Sequence, residues 1–237
     1  MRPAPGQLHV TVPMMAGVWA ACYLVANVLA ALTVAFTGHG GTESARQPVW
    51  VLAVAATALW VPFMATLTSV SRRLGTGNFR DDFRLRWRLV DLVGLPIGVL
   101  SQLVVVGLVN GLLRDLFPST FDTERVEERA RDLYERAEGG WLILLIAVVV
   151  VGAPLVEELV YRGFIQNTLR SRYADALALA ITAAWFTVIH LRPVEFPGLF
   201  AFALILGVTF HATKRLGMPI MAHMAFNATG LALVAGS

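Results

Sequence analysis

Long apolar runs broken by short clusters of charge set the first reading of this chain. A helix needs about 20 apolar residues to cross the hydrocarbon core of a bilayer. On that rule the pattern predicts membrane spans at 11–37, 48–70, 89–113, 141–162, 174–191, 197–213 and 217–235. The count is about seven, rising to eight if the first run is broken. The fourth helix is expected to run beyond its apolar zone to about Arg172. The predicted fold class is therefore all-α, a polytopic transmembrane helical bundle forming a single integral membrane domain over 1–237. The first run, Val10 to Phe36, is longer than the ~7–15-residue core of a signal peptide, so it reads as a retained transmembrane helix.

Composition supports lipid as the solvent. Hydrophobic residues make up 57% of the chain and charged residues 15%, where soluble domains carry about 25% charged. Neither a targeting tail nor a second soluble domain is expected. No basic stripe with interleaved aromatics suggests nucleic acid. Cys22, the single cysteine, lies in an apolar run and reads as a small packing residue.

The placement of arginine orients the chain. Loop 71–88 holds Arg72, Arg73, Arg80, Arg84, Arg86 and Arg88, and short cytoplasmic loops carry the excess of basic residues. Alternation puts Arg2, the Arg170/Arg172 turn and the Lys214/Arg215 turn on that same side, with the N-terminus cytoplasmic. Arg46, Arg192 and segment 114–140 fall on the other. Within that segment, 121–138 reads as a charged surface helix with a solvated face.

Polarity inside the spans is uneven. The first three (1–113) show no ionisable residue beyond Asp91 at an edge, whereas the last four contain two glutamates, an arginine and several histidines. A charge at the bilayer centre costs about 2.5–3.5 kcal/mol on insertion scales, so function is sought there. Glu158 and Arg162 are spaced i,i+4 with the acid nearer the N-terminus, the favoured order for a helical ion pair. Glu157 points about 100° away and is the candidate general base. His190 ends Phe186-Thr-Val-Ile-His190, and His223 and Asn227 share a helix face. Each element alone is equally consistent with packing: a helix-end ionic lock, a core histidine, an interhelical hydrogen bond. Together, an acid, two imidazoles and an amide are parts that can activate water and hold an oxyanion.

The ordered trio Glu157-Glu158-x-x-x-Arg162, Phe186-x-x-x-His190 and His223-x-x-x-Asn227 resembles the CAAX protease and bacteriocin-processing family of intramembrane proteases. The likeness covers about 140–230, and Gly207 with the turn from Lys214 to Pro219 also fits it. Arg192-Pro193-Val194-Glu195 has no assigned place in the pattern. The resemblance implies a membrane endopeptidase with a polar intramembrane cavity open toward the cytoplasm. By it, Glu157 and His190 activate water, His223 and Asn227 hold the oxyanion, and Glu158 and Arg162 support them. It implies no essential cofactor, zinc being the alternative with Glu157, His190 and His223 as ligands. Expected partners are membrane lipids and a membrane-associated protein or peptide substrate, in the cell (plasma) membrane. A non-catalytic scaffold or immunity factor, and a transporter, remain as other readings; the first half has no counterpart of the Glu-Glu motif to pair with the second.

Counting residues places the motifs at one depth. Glu157 lies about sixteen residues before the turn near Tyr173 and His190 about sixteen after it, each roughly 24 Å from the tip at 1.5 Å per residue. This assumes that the polar stretch 162–172 protrudes into the cytoplasm.

Overall fold

The computed structural model describes residues 8–42, 46–121, 123–137 and 139–236, without the side chains of 123–127 and 129. Among these residues the chain is helical, with no strand. Six helices are long and apolar enough to span a membrane: α1 (Val12–Phe36), α2 (Val49–Leu74), α3 (Leu89–Leu116), α5 (Trp141–Arg170), α7 (Pro193–Thr213) and α8 (Gly217–Ala235). Between them lie α4 (Thr123–Glu135) and α6 (Asp175–Val188).

The expected span 174–191 is therefore shortened. α6 has 14 residues, about 21 Å of helix against a core of about 30 Å. It ends before His190 because the chain turns over there, Leu191 taking a left-handed φ of 57°.

The N-terminal spans form an outer layer around the motif helices. Thr11 caps α1 by accepting from the Met14 amide at 3.3 Å, and α1 lies along α2. Cys22 is buried there with its thiol 3.2 Å from Thr66 Oγ1, as expected of a packing residue. Trp19 of α1 meets Trp185 of α6 edge-on, ring centroids 4.9 Å apart.

α3 has a different role. It packs on α8 through Gly94 and Gly98, where a Cβ on Gly98 would come within 2.0 Å of the Ala222 carbonyl and one on Gly94 within 2.4 Å of that of Met218. Small residues four apart let two membrane helices meet backbone to backbone, so this contact fixes the helix that carries His223. Asp91 stands at the edge of α3, as expected, but it is not exposed. It is 1% exposed, accepts from the Arg88 amide at 2.7 Å and pairs with Arg215 at 2.7 Å, tying the start of α3 to the start of α8.

The polar stretch after Arg162 does not protrude. Arg162 and Gln166 are 0% and 1% exposed, in a π-helical stretch, Leu159–Gln166, of α5. Arg162 Nη2 donates to the Ala203 carbonyl and Gln166 Nε2 to that of Gly207, each at 3.0 Å. Both side chains thus find acceptors on α7, four residues apart on each helix. Gly207 makes room: a Cβ there would stand 3.3 Å from Gln166 Oε1.

Candidate active site

Glu157 and Glu158 follow one another in the middle of α5 and consequently face different surroundings. Glu158 is fully buried, and its Oε1 accepts from Arg162 Nη1 at 2.8 Å and from His223 Nδ1 at 2.9 Å. Glu157 is half-buried, with its Oε2 3.7 Å from His223 Nε2. The His223 ring thus lies between the two carboxylates. Phe186 and Phe202 hold it edge-on from two sides, with ring centroids at 5.8 and 5.4 Å. Arg162 lies 4.9 Å over the face of Phe186, so the ion pair and the histidine share one aromatic partner.

This buried cluster is a poor stabiliser on its own terms. Glu158 Oε2 and Arg162 Nε are buried without hydrogen-bond partners among the described residues. A buried ion pair offsets its desolvation only when its remaining donors and acceptors are satisfied. The arrangement is better understood as holding His223 in place.

His190, just past the end of α6, has Nδ1 2.7 Å from the Phe186 carbonyl. A carbonyl can only accept, so Nδ1 donates here and Nε2 is the ring nitrogen left for other partners. Asn227 donates one amide hydrogen to the Val149 carbonyl at 2.8 Å. Val149 lies in a π-helical turn, Ile146–Gly152, a register that loosens the regular backbone ladder and occurs often at functional sites.

Glu157, His190, His223 and Asn227 all line one cavity of about 310 Å³. His190 and Glu157 both border this space. Three of the lining residues escape the motif reading: Gln102 and Asn110 of α3 and Glu195 before α7. Glu195 sits 3.6 Å from Arg192, which in turn pairs with Glu128 of α4 at 2.6 Å. Of Glu195, Arg192 and Glu128, only Glu195 lines the cavity, and Glu128 is exposed at the bundle surface.

α4 is more than a solvated surface helix. Ala130 and Leu133 line the cavity, and Leu133 packs with Ala137, Leu145 and Leu231. The signal was present as apolar residues at 130, 133 and 137, spaced i, i+3, i+7, beneath the charge of the segment.

The cavity runs along α5 through Leu145, Val149, Ala153 and Glu157, four residues apart and so on one face. From Glu157 it extends toward the α4 end of the bundle, away from loop 71–88.

Residues 139–229 match the model of the Type II CAAX prenyl endopeptidase Rce1-like family. Over these residues the chain is similar to that family. The matched region contains Glu157, Glu158, Arg162, His190, His223 and Asn227, in agreement with the family resemblance carried by the motifs. Six apolar helices, together with this likeness, indicate an integral membrane protein. No curated protein and no solved structure matches the chain.

The described residues contain no group of three or more His, Cys, Asp or Glu side chains arranged to hold a metal ion. Of the three ligands considered for zinc, His190 has Nδ1 engaged by a carbonyl and His223 has Nδ1 on Glu158.

Proposed function

We propose that this protein is an intramembrane endopeptidase that hydrolyses peptide bonds of membrane-associated substrates with water activated by Glu157 and His190. The observation that carries the reading is the shared cavity: Glu157, His190, His223 and Asn227, from three helices, line a single space of about 310 Å³. The Rce1-like match over 139–229 supports the reaction class, and by its name a prenylated C-terminal peptide is one substrate to test.

In this account a water enters between Glu157 and His190. The His190 Nε2 lone pair orients it, and Glu157 takes its proton as hydroxide oxygen attacks the scissile carbonyl. The carbonyl becomes a tetrahedral oxyanion, which accepts from His223 Nε2–H and from the second amide hydrogen of Asn227. Glu157 then returns the proton to the leaving nitrogen as the C–N bond breaks. Water, peptide and proton are accounted for, and the carboxylate is regenerated.

Glu158 is a positioning residue. Its bond to His223 Nδ1 fixes the ring, so that Nε2 is the nitrogen left to meet the oxyanion. Arg162 keeps Glu158 from carrying its buried charge alone.

Following the arginine count, we place loop 71–88 and the N-terminus in the cytoplasm. The cavity mouth then faces the opposite side of the membrane, and substrates enter from there.

The test of the proposed activity is comparative proteomics of membrane-bound peptides between cells with wild-type protein and cells with Glu157→Ala. Peptides that accumulate uncleaved only in the variant support the reading. Identical peptide sets, with both proteins equally abundant, contradict it.

A further inference from the structure

A second cavity lies at the other end of the bundle and has a different chemistry. It measures about 810 Å³ and is lined by residues 8–11 before and at the start of α1, by Arg84, by 167–172 at the end of α5, and by Lys214. Four separate stretches of chain thus converge on it. Its ionisable side chains include Arg84, Arg170, Arg172 and Lys214, and no carboxylate lines it. The nearest acid in the hydrogen-bond network, Asp175, is taken up by Arg170 at 2.5 Å and stands 3.6 Å from His211.

Several features show that the cations are placed there rather than gathered by chance. Arg84 and Lys214 are two of only three non-glycine residues described with a left-handed backbone, φ 57° and 56°. That conformation is unfavourable for side-chain-bearing residues and tends to persist where surrounding structure enforces it. The Leu216 amide donates to the Arg84 carbonyl at 2.9 Å, binding the two strained turns together. Arg84 Nε donates to Asn167 Oδ1 at 3.1 Å, which aims the guanidinium. Thr168, 4% exposed and part of the cavity wall, keeps a buried hydroxyl with no hydrogen-bond partner among the described residues.

The cations also disfavour one another. Burial, and then the like charges of Arg170 and Arg86, pull the Arg84 guanidinium below its ordinary value. Burial and the charges of Arg170 and Arg84 do the same to the Lys214 ammonium, against an opposing pull from Asp175. An anion in the cavity would relieve both effects and give the Thr168 hydroxyl a partner.

We infer that this cavity is a binding site for a phosphate group, held by Arg84, Arg170, Arg172 and Lys214 with the Thr168 hydroxyl. Guanidinium forks match phosphate oxygens, and the volume admits a phosphate with its attached ester. Because the site opens where helices leave the membrane, the group can come from an anionic lipid or from a soluble phosphate. The inference is independent of the proteolytic reading.

The experiment uses the full chain in nanodiscs. One arm offers equimolar phosphatidylcholine and phosphatidylglycerol and measures by native mass spectrometry which lipid stays bound. The other offers inorganic pyrophosphate in phosphatidylcholine alone and follows thermal stability. Wild type should retain phosphatidylglycerol selectively, be stabilised by pyrophosphate, or both; the first outcome assigns a lipid headgroup and the second a soluble phosphate. Arg172→Gln with Lys214→Asn removes two exposed cations, and asparagine tolerates the left-handed turn. The preference should fall about fivefold per cation removed. Arg72→Gln with Arg73→Gln, exposed at the same end but outside the cavity, should change little. Equal losses in the two double variants, or no phosphate preference in wild type, would overturn the site.

Discussion

Glu158 Oε1 accepts from Arg162 at 2.8 Å and from His223 at 2.9 Å, so one buried oxygen joins an ion pair within α5 to the histidine of α8. Two roles follow for this carboxylate, and they separate experimentally. Glu158→Gln leaves the Arg162 charge uncompensated and should lower stability by about 3 kcal/mol, the cost typical of breaking one partner of a buried pair. Replacing both, as Glu158→Leu with Arg162→Met, should recover much of that stability, because apolar isosteres often substitute for a buried pair without loss. Turnover should not recover, since His223 still lacks its Nδ1 partner. Thermal unfolding and peptide turnover of both variants check this; recovery of turnover in the double variant would leave Glu158 a packing residue only.

His223→Ala and Asn227→Ala should each reduce kcat by about 10²–10³-fold with a smaller change in KM, as expected for donors that act mainly on the developing oxyanion. Steady-state kinetics on a membrane-anchored peptide separates the two parameters. A change confined to KM would make these residues part of substrate docking.

Gly98→Ala should cost about 1–3 kcal/mol, the usual range for overpacking, because its Cβ would stand 2.0 Å from the Ala222 carbonyl. The comparison substitution, Gly107→Ala, meets nothing within 4 Å and should be neutral or slightly stabilising. Thermal unfolding in detergent checks the pair. Since Ala222 immediately precedes His223, Gly98→Ala should also lower turnover.

The site was more legible in the sequence than the way it is housed. Glu158 with Arg162, and His223 with Asn227, are local i,i+4 relationships that any helix enforces. The bond between Glu158 and His223 joins residues on separate helices, and nothing in spacing could specify it. The same holds for Arg162 and Gln166. Their polarity suggested water, but their acceptors are the Ala203 and Gly207 carbonyls of α7. Asp91 lies at the edge of its span as read, but its pairing went unread because its partner, Arg215, lies far along the chain. The shortened α6 was hidden by apolar residues that continue through Leu191 after the helix has ended. The glycines of α3 carry no chemistry, yet their close contact with α8 sets where His223 stands.

Orientation is tested by cysteine labelling on intact cells, Cys22 being buried and so a weak background. With the arginine-rich end inside, Thr120→Cys should react with an impermeant maleimide and Arg80→Cys should not; both positions are exposed. The reverse pattern would put the cavity mouth in the cytoplasm and the N-terminus outside.

Glu157→Gln tests the central claim most directly. The substitution keeps the shape of a half-buried side chain and removes the base, while Glu158, Arg162 and His223 retain their mutual bonds. Purified and reconstituted, it should unfold at the wild-type temperature yet hydrolyse a membrane-anchored peptide at least about 10²–10⁴-fold more slowly. Wild-type activity should survive chelator treatment in the same assay. Near-wild-type hydrolysis by the Glu157→Gln protein, or strict loss with chelator and rescue by zinc, would contradict the glutamate-activated-water account.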